Sequence, residues 1–526
     1  MIISCKDFVV TPSPYSADSM ISFLKGAYSM DYPVSSSPAP RYPAGKRELR
    51  FGLAILLCSV FLWNSILYAG FSLGFSLGIL AVMGCSVWYL ISSGCRFDRY
   101  SGALLVLAGL IAAGFARSSD GFVKFVMVLF LVFAGNLSFC LAAGQNRRDP
   151  KRLGSLLDAP RAFFTLGTGS MRASARGLND ARKNAEAAGK KGGAAVLGLV
   201  IALPVAAVLI FLLMRADAAF QGLMDLLPDM DWSEPVWSLL LGAFAAWVLY
   251  SRGLGLRMAE KTQAIERKFR GISAVTVNTL LGAVSLVYCV YLLSQLAYLG
   301  GGFSGILPEE YTLAQYARRG FFEMAWLSAI NLGLMCLAMG LVEQTEKAPG
   351  LTKGFCLFLG VVTLFLIAAA SAKMLLYIGS FGLTRLRVLT EVIMVWLGIT
   401  TVLASVWLLR PGFPYMKAVV ITALALGTLV FWADVDTQVA RYNVRSYQEG
   451  RLETVDLDHL GSLGYGAVPY LEELANDADP ETAQAAKDIL TRQRCRTEDF
   501  RDWNYSKAAA EKILEPYQEQ AEVLPG

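Results

Sequence analysis

Charged residues are scarce in this sequence. They make up 17% of the 526 residues, whereas about 25% is usual in a soluble globular protein. Two stretches, 51–95 and 271–308, contain no charged residue at all. Both exceed the length of about 20 apolar residues that a helix needs to cross the hydrocarbon core of a bilayer. The sequence therefore predicts a membrane protein with several spans. These are helices, because isolated strands leave backbone groups unpaired in lipid.

Residue types that carry common enzyme chemistry are also missing. His459 is the only histidine, which removes most histidine-based chemistry, such as metal clusters and Ser-His-Asp triads. The nine cysteines include no CxxC pair and indicate neither a zinc site nor a disulfide framework. No P-loop and no paired aspartates at a membrane boundary are present, so nucleotide hydrolysis and metal-dependent phosphoryl transfer are not indicated. We expect no metal and no cofactor, and a membrane enzyme is the weakest functional hypothesis.

Hydropathy predicts about eleven transmembrane helices, and hence an all-α polytopic membrane protein. The span 101–116 is short, with 16 residues. The predicted spans are 51–70, 71–93, 101–116, 122–144, 194–214, 235–251, 272–299, 321–341, 355–379, 388–409 and 418–433.

Five regions follow from this division of the chain. A tail rich in proline and serine is expected to be disordered, and a basic loop separates four N-terminal spans from a core of seven. A soluble, helical C-terminal domain completes the chain. The regions are 1–50 (tail), 51–144 (four spans), 145–193 (basic loop), 194–433 (core) and 434–526 (C-terminal domain).

The distribution of lysine and arginine predicts the orientation. The segment 145–192 has eleven basic and four acidic residues, and 251–270 has six basic and two acidic. By contrast, 215–234 has five acidic residues and one basic. Because basic loops remain in the cytoplasm, the N-terminus and both basic loops are predicted to be cytoplasmic. An odd number of spans then places the C-terminus outside the cytoplasm.

Two arginine pairs depart from this charge rule, because they fall on the predicted outer side. Arg318 and Arg319 precede the eighth span, and Arg385 and Arg387 lie in the turn IGSFGLTRLR between spans nine and ten. One interpretation is that they anchor helix ends at lipid phosphates. The other is an outward-facing basic pocket that binds a ligand. Tyr377 belongs to that pocket, since hairpin geometry pairs it with Arg387.

Two charges lie inside adjacent spans. Lys373 is nine residues before Gly382, and Glu391 is nine residues after it. With a turn centred near Gly382, both reach the same depth at about 1.5 Å per residue. The arrangement predicts an intramembrane ion pair, which lowers the cost of burying either charge. The alternative is a proton or substrate relay that also includes Arg387.

The acidic C-terminal domain contains a predicted helical hairpin. In LGYGAVPYLEELANDADPETAQAAKDILTRQ, apolar positions such as Leu471, Leu474 and Leu490 recur at helical spacing. Asp479 is placed to cap the second helix, and Pro480 suits its first turn. The hairpin is of the HEAT type. A single unit leaves a face uncovered, so we expect it to pack on neighbouring helices or on the membrane-side loops.

Several longer sequence segments are similar to those of a known family. YARRGFFEMAWLSAINL, SAKMLLYIGSFGLTRLRVLTEVIMVWL and DVDTQVARYNV resemble the bacterial multi-pass membrane family described as domain of unknown function 4173, over about residues 194–475. The resemblance implies a bacterial cell membrane protein of this architecture and no particular reaction.

Three classes of function remain open. A binding, sensing or accessory protein is favoured. Its partners would be the bilayer, an anionic lipid or lipid-linked phosphate, and a protein bound through the C-terminal domain. No nucleic acid is expected. The alternative is a proton- or ion-coupled transporter that uses Lys373 and Glu391, and the third class is a membrane enzyme.

Overall fold

The computed structural model describes most of the chain in helical form. No strand occurs in the described part, which confirms the all-α class. The predicted tail 1–50 lies outside it, except for 41–50. The described residues are 41–150, 153–187, 233–259, 272–302, 321–342, 350–410, 412–497 and 499–523, with scattered residues between 198 and 216.

Four helices form the first group. They are α1 (Lys46–Tyr68), α2 (Leu73–Ser92), α3 (Arg99–Gly114) and α4 (Gly121–Ala142). Buried aromatic rings hold them together: Phe51 of α1 stacks on Tyr89 of α2, with ring centroids 4.3 Å apart. Side-chain oxygens of Asp98 and Asp120 cap α3 and α4 by accepting hydrogen bonds from the N–H groups of Ser101 and Val123. These caps set where each helix begins.

The basic loop is largely helical. A 3₁₀ turn (Leu153–Leu157) leads into α5 (Asp158–Arg161), a π-helical turn (Ala162–Leu166) and α6 (Gly167–Ala187). Helix α6 packs against α7 (Ser233–Met258). The approach is close, because a Cβ on Gly255 of α7 would lie 2.1 Å from Ser170 Oγ. Helix α7 continues to Met258, seven residues beyond the predicted end of this span at residue 251.

Five helices form the second group. They are α8 (Ala274–Gly302), α9 (Phe321–Val342), α10 (Gly350–Phe381), α11 (Arg385–Leu409) and α12 (Tyr415–Ala433). Helix α10 packs on α8, α9 and α11, and α12 packs on α3 of the first group. The indole N–H of Trp432 donates to the Leu110 carbonyl at 3.0 Å across that contact. The two groups therefore share one bundle.

Nine helices in the described part of the chain are long and apolar enough to cross a membrane. Helix α3, with 16 residues, is a shorter apolar helix and corresponds to the predicted span 101–116. The predicted span 194–214 falls in a stretch that the structure does not describe continuously. The protein is a polytopic helical membrane protein.

The C-terminal helices form a separate layer, which we call the cap (residues 434–523). Its helices are α13 (Val435–Gln448), α14 (Leu457–Ser462), α15 (Val468–Ala475), α16 (Pro480–Arg492) and α17 (Tyr505–Val523), with 3₁₀ turns at Gly464–Ala467 and Phe500–Asp502. Helices α15 and α16 form the predicted hairpin, and Asp479 caps α16 as expected. The hairpin packs on α13 and α17, and Leu471, Leu474 and Leu490 are buried in the shared core.

The two ends of the bundle are different. The cap contacts the α1–α2 turn, the α3–α4 loop and the α10–α11 turn, which defines the cap end. At the other end, which we call the basic end, Gln145 after α4 donates to the carbonyls of Leu256 and Ala259 at the close of α7. Arg257 there forms an ion pair with Glu48 of α1 at 2.6 Å. The cap and the basic loop thus lie at opposite ends of the helices.

Candidate functional site

The start of α17 binds the backbone of the α3–α4 loop. Asn504 Nδ2 donates to the carbonyls of Phe115 and Ser118, at 3.3 and 2.8 Å. The Tyr505 N–H donates to the Ala116 carbonyl at 2.9 Å. Asn504 is only 2% exposed. These bonds satisfy loop carbonyls that would otherwise be buried unpaired under the cap.

Arg501 makes a second attachment of the cap. Its guanidinium donates to Glu234 Oε1 of α7 at 3.1 Å and also bonds Asn64 of α1 and Asp499. Asn64 Nδ2 in turn donates to Glu234 Oε1 at 3.0 Å. One arginine of the cap therefore joins the ends of two membrane helices.

Arg385 makes a third attachment. Its Nη1 lies 2.9 Å from Asp120 Oδ2, and its Nε lies 2.8 Å from Asp436 Oδ1. Asp436 is 2% exposed, and burial raises the pKa of its carboxyl although the nearby Arg385 acts in the opposite direction. The arginine therefore bridges the α3–α4 loop, α11 and α13.

Arg387 bonds its own turn. Its Nη1 donates to the carbonyl of Phe381 at 3.0 Å and to that of Gly382, which are carbonyls at the end of α10 that have no helical partner. The guanidinium lies 4.3 Å from the ring centroid of Tyr377, the contact that the hairpin arithmetic predicts. Arg318 and Arg319 lie outside the described residues. The structure thus brings Arg387 and Tyr377 together, and it places Arg385 among carboxylates.

The predicted ion pair of Lys373 and Glu391 stays a prediction. The carboxylate whose charge acts on Lys373 is Glu323 of α9, and the side-chain partner of Glu391 is the Ser371 hydroxyl. Ser371 and Lys373 are two residues apart on α10, and residues at that spacing do not face the same way.

A cavity lies between the cap and the bundle. Its volume is about 240 Å³, below the roughly 300–1,000 Å³ that is usual for drug-sized ligands. Both the α1–α2 turn and the α3–α4 region contribute to one wall, and the cap contributes to the other. The lining residues are Ala69, Gly70, Phe71, Ser72, Ser119, Lys124, Tyr465, Asp502, Asn504 and Lys507.

Charged groups from both sides meet at this cavity. Lys507 of α17 forms an ion pair with Asp502. Lys124 of α4 is half-buried, and the charges that act on it are those of Asp502, Asp120 and Lys507. Two ammonium groups and one carboxylate line the cavity, and Asp120 is already paired with Arg385. The arrangement favours an anionic group in the cavity.

Sequence reasoning missed Lys124. It falls near the start of the predicted span 122–144, where a lone lysine looks like an interfacial anchor. The available signal was its position: it is the single charged residue between 121 and 146. Its cavity partners Asp502 and Lys507 lie almost four hundred residues further along the chain.

The described residues contain no group of three or more histidine, cysteine, aspartate or glutamate side chains that could hold a metal ion. Comparison with protein families gives a match to the domain of unknown function DUF4153 over residues 51–474. This confirms the expected membership in a family of unknown function, whereas the number 4173 that the sequence suggested is not supported. Comparison with curated proteins and with solved structures gives no match.

Proposed function

The chain belongs to the DUF4153 family, and from its own geometry we propose that it is a binding or sensing protein of the bacterial cell membrane. The cap lies outside the cytoplasm and closes over the cavity that Lys124 and Lys507 line. The ligand is a small anion or the anionic group of a larger molecule, such as a lipid-linked phosphate. We assign no catalytic residue.

The cavity carries this proposal. It lies where a polar domain meets the ends of membrane helices, which is a common place for ligand sites. Its charges come from both partners, because Lys124 belongs to the bundle and Lys507 to the cap. A ligand that bonds both lysines therefore strengthens the contact between cap and bundle, so the cap can report binding.

The contacts of Arg385 and Arg387 support this position for the pocket. Both guanidinium groups already bond protein oxygens, and a ligand there would have to displace Asp120, Asp436 or the α10 carbonyls. A ligand that binds Lys124 would displace fewer protein contacts. The outer basic site that the sequence suggested is thus proposed at the same end of the bundle, with lysines as its cations.

Anion-dependent stability tests this function. Full-length protein is melted in detergent with inorganic phosphate, succinate or glutamate as probes. We expect at least one probe to raise the melting temperature and to slow hydrogen exchange of the segment 499–507. Lys124→Met removes this response, because it removes the cation contributed by the bundle.

Lys487→Met is the matched control, since Lys487 is an exposed lysine of α16. It carries the same charge change and is expected to keep the response. A wild-type protein that responds to none of the probes, or a Lys124→Met variant that responds in full, would contradict the proposed pocket.

A transporter remains the second candidate because of Glu391. Its Oε1 is buried and has no hydrogen-bond partner among the described residues, and an ionisable group inside a membrane helix is often functional. A proton-coupled transporter predicts that Glu391→Gln abolishes flux in liposomes while the protein stays folded. Equal flux in the wild type and the variant would exclude a relay at Glu391.

A further inference from the structure

Arg252 lies in the half of α7 that is nearer the basic end, and its side chain is buried. Only 9% of the residue is exposed, and every residue from 251 to 256 is buried. It precedes the last residue of α7, Met258, by about 9 Å along the helix axis. In this region α7 packs on α6 and on the π-helical turn. The charge is therefore enclosed by protein, not exposed at the lipid surface.

The charge of Arg252 is not matched by a protein anion in the described residues. Its Nε and Nη2 atoms have no hydrogen-bond partner there. Its guanidinium carbon lies 5.6 Å from the ring centroid of Phe139, and the titratable group that acts on it is the thiol of Cys140. A guanidinium keeps its proton in proteins, and an unpaired buried charge strongly destabilises a fold. An anion from outside the chain would remove that penalty.

Further arginines surround the same region. The charges of Arg161 and Arg252 both act on Cys140. Arg161 belongs to α5, where burial and then the charge of Arg147 lower the pKa of its guanidinium. Arg147 Nε is itself buried without a partner among the described residues. Positive charge thus accumulates between α4, α5 and α7.

Asp158 is a buried carboxylate in this group, and it is already paired with another arginine, because its Oδ1 lies 3.8 Å from Arg148 Nη1. It is 1% exposed, and its Oδ2 accepts hydrogen bonds from the backbone N–H groups of Arg147 and Arg148, both at 3.1 Å. These bonds fix the turn after α4 against α5. The carboxylate therefore shapes the region and leaves the positive charge of Arg252 unmatched.

We propose that Arg252 is the inner contact of a site that binds a phosphate group at the basic end of the bundle, with Arg147 and Arg161 at its opening. The planar fork of a guanidinium matches two phosphate oxygens. The phosphate belongs either to an anionic phospholipid or to a free phosphate ion. This site is independent of the cavity under the cap.

The π-helical turn relates the site to lipid. It carries two exposed aromatic side chains, Phe163 and Phe164, with 41% and 64% exposure. Single π turns in helical segments are frequent at functional sites. The proposal assigns to these exposed rings the acyl chains of a phospholipid whose phosphate binds at Arg252 and Arg161.

The test measures the stability of delipidated full-length protein in maltoside detergent. The probes are inorganic phosphate, phosphatidylglycerol and a phosphate-free glycolipid. We expect the wild-type melting temperature to rise with phosphatidylglycerol, or with phosphatidylglycerol and phosphate, and to stay unchanged with the glycolipid. A rise with both probes identifies a general phosphate site, and a rise with phosphatidylglycerol alone identifies a lipid site. Phe164→Ser is then expected to weaken only the lipid response.

Arg252→Met separates this proposal from a structural role. It is expected to raise the melting temperature without ligand, because it removes an unmatched buried charge, and to abolish the response to the probes. Arg252→Lys keeps a charge and loses the fork, so it is expected to give a smaller response. Arg50→Met is the control, since Arg50 is an exposed arginine of α1 at the same end, and it is expected to leave both properties unchanged.

Four outcomes would overturn the proposal. In the first, Arg252→Met lowers the melting temperature or prevents folding, which means that the chain itself satisfies the charge. In the second, Arg252→Met keeps the response. In the third, the wild type responds to neither phosphate nor phosphatidylglycerol. In the fourth, the glycolipid stabilises the protein as well as phosphatidylglycerol does.

Discussion

The side-chain amide of Asn443 is paired with the backbone of a single residue, Leu383. Asn443 Oδ1 accepts a hydrogen bond from the Leu383 N–H at 2.6 Å, and its Nδ2 donates to the Leu383 carbonyl at 2.8 Å. Asn443 belongs to α13 of the cap, and Leu383 lies in the turn between α10 and α11. One side chain thus satisfies both backbone groups of a turn residue and joins the cap to the bundle.

Asn443→Asp tests this attachment. The variant keeps the size of the side chain, but a carboxylate has no donor and would face the Leu383 carbonyl. We expect a loss of roughly 1–3 kcal/mol in the stability of the cap contact, the usual cost of a buried unsatisfied group. Hydrogen exchange of the turn 382–384 measures it.

Asn476→Asp serves as the control, because Asn476 is exposed at the end of α15. It is expected to leave the exchange of the turn unchanged. If Asn443→Asp also exchanges like the wild type, the amide does not hold the turn.

Gly382 is required by the same contact. Its φ is +74°, and a Cβ there would lie 2.8 Å from Asn443 Oδ1. Gly382→Ala is therefore expected to destabilise the protein by more than about 1 kcal/mol, since an L-residue pays about 1–2 kcal/mol in the left-handed region alone. Gly379→Ala, three residues earlier, has no atom within 4 Å of its Cβ and lies inside α10. It is expected to be neutral or stabilising.

Thermal unfolding of the two alanine variants checks the opposite signs. Equal effects at both positions would mean that the turn accommodates a side chain, and the tight fit between Gly382 and Asn443 would then be wrong.

Glu511 gives the cap a pH dependence. Its Oε1 accepts a hydrogen bond from the Thr497 N–H at 2.9 Å, and its Oε2 accepts one from the Thr497 hydroxyl at 2.8 Å. The backbone bond is the main reason why the pKa of Glu511 lies below its ordinary value of 4.5. A lowered pKa in the folded state stabilises the fold above the ordinary pKa, and this contribution disappears as the pH falls through the lowered pKa.

Glu511→Gln is therefore expected to be less stable than the wild type at neutral pH and nearly equal to it once the pH has fallen below the lowered pKa of Glu511. Denaturant unfolding at each pH measures the difference in the free energy of unfolding. Hydrogen exchange of α17 locates the effect in the cap. Glu515→Gln changes an exposed carboxylate one turn later and is expected to show no such convergence. A difference between Glu511→Gln and the wild type that does not change with pH would contradict this role.

Two thiols report on the packing of α1 against α2. Cys58 Sγ and Cys85 Sγ are 3.7 Å apart, and a disulfide would bring them to a bond length of about 2.0 Å. We expect copper phenanthroline to oxidise this pair, so that two fewer thiols are alkylated in denatured protein. Mass spectrometry of the linked peptide identifies the pair.

Cys289 is exposed on α8 and provides the internal control, since it should remain available to the alkylating reagent. Complete alkylation of Cys58 and Cys85 after oxidation would show that α1 and α2 do not pack as described.

Local sequence patterns predicted the elements that depend on near neighbours. Leu471 and Leu474 follow helical spacing, and Asp479 bonds N–H groups two and three residues later. Such features involve at most one turn of helix, so the order of residues determines them. The apolar segments predicted most helices for the same reason.

The attachments of the cap were not predictable in this way. Arg501 and Glu234 are 267 positions apart, and no periodicity connects them. From the sequence, Arg385 was predicted to line a ligand pocket, because its positive charge has no recognisable partner nearby in the sequence. Its partners, Asp120 and Asp436, come from distant parts of the chain and meet only after the helices pack.

The burial of Arg252 near the end of a helix was also not predictable from hydropathy. Hydropathy ends the span at residue 251, because the next residues include two arginines. Helix α7 continues because small residues in GLGLRM allow other helices to approach closely, as Gly255 does with Ser170. Packing therefore buried a charge that hydropathy placed in a loop.

The positions of the cap and the basic end predict which side of the membrane each occupies. In the part of the chain that the structure describes, the cap contacts ends of helices that face away from the basic loop, so the two lie on opposite sides. The excess of lysine and arginine in 145–192 then predicts a cytoplasmic basic end and an extracytoplasmic cap.

In a cysteine-free background, Ala478→Cys in the cap and Lys183→Cys in α6 provide exposed labelling positions. We expect an impermeant maleimide on intact cells to label Ala478→Cys and not Lys183→Cys, and a permeant maleimide to label both. The reverse pattern would invert the orientation and place the lysine-lined cavity in the cytoplasm. Labelling of both positions from one side would contradict the two-ended arrangement itself, because no helix bundle with the cap and basic loop at opposite ends can expose both to the same compartment.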